Sequence, residues 1–351
     1  MKNHLSLLSP LRRMRARVSL SLAASVAVLL GGAFSAHAET WVPTVGGSWA
    51  TPGNWDTTTV PNVIGALANF TPNNLANRPV TIDSGTAGFT VGSIAFDLTG
   101  TGTFTNSLTT GTAGSKLLLN NAGAGVTIST TGNGTGNNTI SVPLVLNDFL
   151  TAQVDQVTPT SQAGSLNLTA TMSGTGGVLK QGEGLMTFGT GAKSYTGDTI
   201  LNGGRTRISV AAHPTATSKF TINAGAQLDL ITTGTYTFGS GPLNLNGSGA
   251  TSGPYAAFPG AIRNDTGLVA TIASPIVLQS DTIIHIQATA NTGGNPNPTG
   301  SLTLSNTVQG PGALILTAPG SNPDQGTLFL TNTNRRPIIF TAFNLSFYIK
   351  R

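Results

Sequence analysis

Cysteine is absent from the 351 residues, so neither disulfides nor thiolate-bound metals can hold this chain together. Charge is scarce as well, at 8% of residues, and that is not the composition of a self-repelling disordered polymer. With 45 glycines among so few helix formers, long helices are disfavoured too. A basic block is also missing. The formal +5 comes from Lys2, Arg12, Arg13, Arg15 and Arg17, the only charged side chains in the first 38 residues. Beyond them 12 basic residues balance 12 acidic ones, and four of the basic ones, Arg335, Arg336, Lys350 and Arg351, lie at the very end. Phosphate recognition needs a concentrated positive surface, so no nucleic-acid partner is expected.

Long apolar runs are missing except in the leader. A basic start, the apolar or small stretch from Val18 to Phe34 and the small residues Ala36 and Ala38 form the three zones of a secretory signal, with cleavage expected between Ala38 and Glu39. The run is short for a bilayer span of about 20 residues. The mature chain is therefore expected to be exported, without a transmembrane span, to the cell surface or the medium.

The usual marks of catalysis are equally sparse. No D-x-D, D-D or E-x-D occurs, no G-x-S-x-G elbow, and no G-G-x-G-x-D calcium repeat. His213 and His285, the two histidines after the leader, are 72 positions apart and have no neighbouring carboxylate. The stretch "GLMTFGTGAKSYTGDT" has a Lys193-Ser194 pair that looks like a phosphate loop. Ala192 and Thr187 stand where that loop needs glycine, and β-formers follow where it needs a helix. Lys180, Lys193 and Asp198 read more simply as solvated residues at chain corners. A non-enzymatic chain without cofactor or metal is expected.

What the sequence does have is short alternation. Runs such as Phe89 to Phe96, Leu166-Asn167-Leu168, Phe220-Thr221-Ile222 and Leu243-Asn244-Leu245 put apolar residues at every second position, bounded by glycine or asparagine. "SLNLTATMSGTGGV" at Ser165–Val178 matches "SLTLSNTVQGPGAL" at Ser301–Leu314, and "TISVPLVL" at Thr139 matches "TIASPIVL" at Thr271. The two related units, 139–209 and 271–334, differ by four residues in offset. A solenoid absorbs such drift at its turns because each coil contacts only its neighbours, whereas a closed barrel or sandwich does not. The pattern predicts an all-β parallel β-helix with roughly 20–25 residues per coil.

The segment Ser173–Leu201 resembles the autotransporter-associated β-strand repeat. Gly174, Gly176, Leu179, Lys180, Gly182, Gly184, Gly189, Tyr195, Gly197 and Thr199 occupy the matching positions. A weaker copy begins at Gly310 and breaks off after Asn334. The resemblance implies a right-handed parallel β-helix of passenger type, exported and displayed at or released from a bacterial surface, with no reaction attached. The stretch from Trp41 to Phe70 also looks like the opening segment of such proteins. Residues 39–96 are expected to cap a solenoid spanning 97–334.

All three tryptophans, Trp41, Trp49 and Trp55, fall in that opening segment. They are expected to plug the first coil, with a sugar-stacking surface as the alternative. That alternative would make the chain a carbohydrate-binding module for a cell-surface glycan; other surface proteins are the remaining partners considered. A β-helical polysaccharide lyase or hydrolase is the third reading, disfavoured by the scattered carboxylates. The tail 335–351, apolar with basic ends and no glycine, is expected to depart from the repeat through truncation or frameshift.

Overall fold

The computed structural model describes residues 37–71, 76–99, 103–155, 166–250, 259–287, 300–317 and 326–331, and the backbone of the strands Ile338–Phe340 and Phe347–Ile349. All of them belong to the unit Ser35–Arg351. The alternating runs form strands, and every pairing between those strands is parallel and links one pass of the chain to the next. A first ladder runs through Ala38–Thr40, Leu67–Phe70, Ser93–Asp97, Val126–Thr131, Leu150–Val154, Val178–Gln181, Thr199–Leu201, Phe220–Ile222 and Leu243–Gly247 to the start of Ile276–Ile286. A second runs through Gly47–Ser48, Arg78–Ile82, Asn106–Thr110, Asn138–Ile140, Leu166–Leu168, Leu185–Phe188, Gly204–Ile208, Ala226–Leu230 and Ile262–Asn264 to the end of Ile276–Ile286.

The third face carries two ladders. Phe89–Val91, Leu117–Leu119, Leu144–Leu146 and Met172–Gly174 form one, and Gly234–Tyr236, Val269–Ile272, Ser301–Leu304 and Thr327–Leu330 the other. Between them in chain order the contact thins to single bridges at Lys193 and Pro214. The chain visits the faces in turn, which makes the molecule a parallel β-solenoid. Three short 3-10 turns are its only helical elements among the described residues.

Register sets the core. Because the strand period is two, one residue of each alternating pair stacks inward on its equivalent in the next coil. Val80, Leu108, Ile140, Leu168, Phe188, Ile208 and Leu230 form such a column, all within 1% of full burial. Burying each of these side chains contributes about 1.5–3 kcal/mol. Neighbouring columns start polar: Arg78, Asn106 and Asn138 are in register and fully buried, with Arg78 Nε donating to Asn106 Oδ1 (3.0 Å) and Asn106 Nδ2 to Asn138 Oδ1 (2.8 Å).

Coil length on the first face ranges from 21 residues (Lys180 to Leu201) to 35 (Gly247 to Thr282), because extra residues leave at corners, and register shifts once, between Leu245 and Gly247. The boundary at residue 97 has no counterpart in the ladders, which run unbroken from Ala38 through Ser93–Asp97 into later coils. The two sequence repeats sit on different faces: Leu166–Leu168 belongs to the second and Ser301–Leu304 to the third. What repeats is a strand, its corner and the next strand. Gly174 and Gly310 have φ of 109° and 119°, and a Cβ there would lie 2.3 Å from Leu146 O and 2.2 Å from Leu278 O. Finally, Ile338–Phe340 and Phe347–Ile349 in the tail pair in parallel with Leu314–Leu316 and Leu328–Leu330, since their apolar and aromatic residues are β-formers with or without glycine.

These corners give a first expected result. Gly174→Ala combines a left-handed backbone with a clash against a fixed carbonyl, and should cost about 1–3 kcal/mol in urea unfolding. A variant as stable as the parent would show that the corner relaxes freely.

Candidate functional site

The repeat-motif residues are used inside the solenoid, and the two lysines expected at solvated corners are buried, at 0% and 1% exposure. Lys180 occupies an inward column between Ala152 and Leu201, and the small alanine leaves its chain room. Its Nζ donates to Gly182 O and, at 2.6 Å, to Gly203 O. Lys193 stacks on Met172, and its Nζ donates to Gly191 O and, at 2.8 Å, to Ala170 O. Each ammonium thus binds carbonyls from two successive coils at one corner. Lys180 shares the inward parity of Val178 in its strand, so its burial follows from periodicity; only the long aliphatic stem lets the charge reach the corner. Asp198 stays at the surface and accepts a hydrogen bond from Ser218 Oγ at 2.7 Å.

Tyr195 and Thr199 are also internal. The Tyr195 hydroxyl lies 2.8 Å from Thr199 Oγ1, which donates to Thr217 Oγ1 (3.1 Å), and that hydroxyl donates to Gly197 O (2.6 Å). At Gly176, Gly182, Gly189 and Gly197 a Cβ would lie less than 3.0 Å from a neighbouring coil's backbone, so their role is close approach of coils. Leu179 is half-buried on the outer side of its strand, and Gly184 N donates to Val154 O at 2.8 Å.

Burial holds the Lys180 ammonium down at about 7, against the attraction of Asp155 and Glu183, and Lys193 at about 8. The unfolded chain, with lysines near 10.5, binds more protons between about 7 and 10.5, so the contribution of these groups to stability rises with pH through that window. Urea midpoints should climb from pH 7 to pH 9, and Lys180→Met should flatten the climb. A slope unchanged by that substitution would remove Lys180 as its source.

The tryptophans are buried in the core, Trp41 and Trp49 at 0% and Trp55 at 1%. Trp41 and Trp55 meet edge to face at 5.1 Å and Trp49 and Trp55 at 4.8 Å, all three around Phe70. Trp55 Nε1 donates to Trp49 O (2.9 Å) and Trp49 Nε1 to Pro61 O (3.1 Å). Indoles without an exposed face cannot stack on sugar, so the glycan-contact reading of these three residues does not fit the structure.

Of the cleavage-site residues, Ala36 lies outside the described residues. Ala38 and Glu39 are in the first strand, where the buried Glu39 carboxylate accepts from Thr57 Oγ1 and lies 2.9 Å from His37 Nδ1.

One cluster has no counterpart among the sequence-predicted sites. On the outer side of the second face, Arg207, Asp229, Arg263 and His285 are in register on four successive coils. Arg263 Nη1 donates to both Asp229 oxygens at 2.9 and 3.0 Å, and its Nη2 donates to Asp265 at 2.8 Å and to Gln287 Oε1. Arg207 lies 3.3 Å from Asp229 and 3.0 Å from Asp265, while Arg205 Nε donates to Gln227 Oε1 at 2.8 Å. Outward residues of a strand are normally solvated, yet Gln227, Asp229 and His285 are fully buried. Gly260 O accepts from Gln227 Nε2, and Ala250 packs on Leu185, so Ala250 and Gly260 lie over this face.

Burial pushes the Asp229 carboxyl up, and the guanidiniums of Arg263, Arg205 and Arg207 pull it back. His285 is held down to about 4 by burial and by Arg263 and Arg205, so it is neutral. The signal for this cluster in the sequence was only R-T-R, Q-L-D and R-N-D at strand positions, which nothing but coil stacking brings together. Both carboxylates are already taken by guanidiniums, so the arrangement staples coils. His213 is elsewhere, half-buried against Tyr236 and Phe238 with Nδ1 on Val210 O. Among the described residues no group of three or more His, Asp or Glu side chains could hold a metal ion, and no helix is long and apolar enough to cross a membrane.

No protein-family model, curated protein or solved structure matches the chain.

Proposed function

We propose that this chain is an exported, non-enzymatic β-solenoid of surface or passenger type, resembling the autotransporter-associated β-strand repeat proteins. The observation that carries the reading is the use of the motif residues. Lys180, Lys193, Tyr195, Thr199 and the corner glycines are spent on joining one coil to the next, as a repeat built for length requires. The charged staple across Arg207, Asp229 and Arg263 does the same on the outside.

Export is tested by expressing the full chain in a bacterium and treating intact cells with protease. The expected product begins at Glu39 and is found in the medium or is digested on whole cells. Retention in the cytoplasm with the leader intact would overturn the reading.

A further inference from the structure

A second surface feature lies on the outer side of the first face. Lys219, Thr221, Asn244, Asn246 and Gln279 line an open groove of about 280 Å³ that crosses three coils. Thr221 and Asn244 are in register and point outward, so equivalent positions recur at the coil spacing of about 4.8 Å. That is close to the length of one pyranose unit in an extended glycan.

The amides are only loosely engaged. Asn244 Nδ2 reaches Phe220 O at 3.4 Å and Pro242 O at 3.3 Å, and Asn246 Nδ2 reaches Ile222 O at 3.5 Å and Asn223 Oδ1 at 3.4 Å, all beyond the usual range for N–H···O bonds. Gln279 Nε2 donates to Asn244 Oδ1 at 3.2 Å. A ligand hydroxyl can displace such long contacts at little loss. Lys219 is exposed and forms no ion pair among the described residues, and no aromatic ring lines the groove. Recognition there has to work by hydrogen bonding and one positive charge.

We infer that this groove binds an extended oligosaccharide carrying uronic-acid carboxylates. Lys219 receives a carboxylate, and Asn244, Asn246 and Gln279 donate to and accept from ring hydroxyls. The site is separate from the tryptophans and independent of the export reading, because binding is measured on purified protein.

Titration calorimetry of the full chain with tri-galacturonate, with maltotriose as the neutral comparison, tests it. Saturable binding of the uronate is expected, at least about tenfold weaker for maltotriose and for Lys219→Ala, the worth of one charge-assisted hydrogen bond. Asn244→Ala should weaken it about threefold, with both variants melting like the parent. If Asn244→Ala melts early, Asn246→Ser takes its place. Absence of saturable uronate binding, equal binding of maltotriose, or affinity indifferent to Lys219→Ala would each overturn the assignment.

Discussion

Asp229→Ala should destabilise the protein by about 3–5 kcal/mol, because it leaves buried guanidiniums without their shared carboxylate. Asp229 is 0% exposed and has Arg263 at 2.9 Å, Arg207 at 3.3 Å and Arg205 at 3.9 Å. With it gone, Asp265 still faces Arg207 and Arg263, but from the partly open edge of the cluster. Asp229→Asn keeps size and an acceptor but not charge, and should fall between the two. Asp265→Asn should cost clearly less, because its side chain is 25% exposed and both arginines retain Asp229. Urea unfolding of the three variants at neutral pH orders them. If Asp229→Ala were no worse than Asp265→Asn, the cluster would not be a staple.

Trp49→Ala is expected to cost a similar amount, about 3–5 kcal/mol, through lost burial and a cavity that the surrounding rings cannot fill. Trp49 contacts Trp55, Phe70 and Phe89, so the loss falls on the packing of those three rings, while the backbone carbonyl that takes the Trp55 indole proton stays in place. In a stack where each coil touches only its neighbours, the damage should be local. Amide exchange should speed up first in Ala38–Thr40 and Leu67–Phe70, while the later ladder strands Phe220–Ile222 and Leu243–Gly247 keep their protection. Uniform loss along all ladders, or a melting temperature equal to the parent's, would contradict a plug at the first coil.

The inward lysines show where reading residues one at a time fails. Lysine is normally solvated, and nothing local in "VLKQG" or "GAKSY" opposes that expectation. The alternation itself places Lys180 inward, but whether an inward ammonium is tolerable depends on Gly182 O and Gly203 O converging on it from adjacent coils. The same holds for the tryptophans. Their clustering between residues 41 and 55 is visible in the sequence, and the choice between an exposed platform and an internal plug required their packing around Phe70.

The sequence by itself determined the class of fold. Period-two alternation, glycine corners and drifting repeat lengths are local properties, and each strand–corner–strand element carries them wherever it sits in the stack. It also determined which corners need glycine, as Gly174 and Gly310 share both sequence context and backbone conformation. Only the tertiary structure decided which face each repeat occupies, because insertions between elements shift the phase by a whole face without breaking register. It alone assembled Arg207, Asp229 and Arg263, which lie 22 and 34 residues apart along the chain and are neighbours only because three coils stack in register.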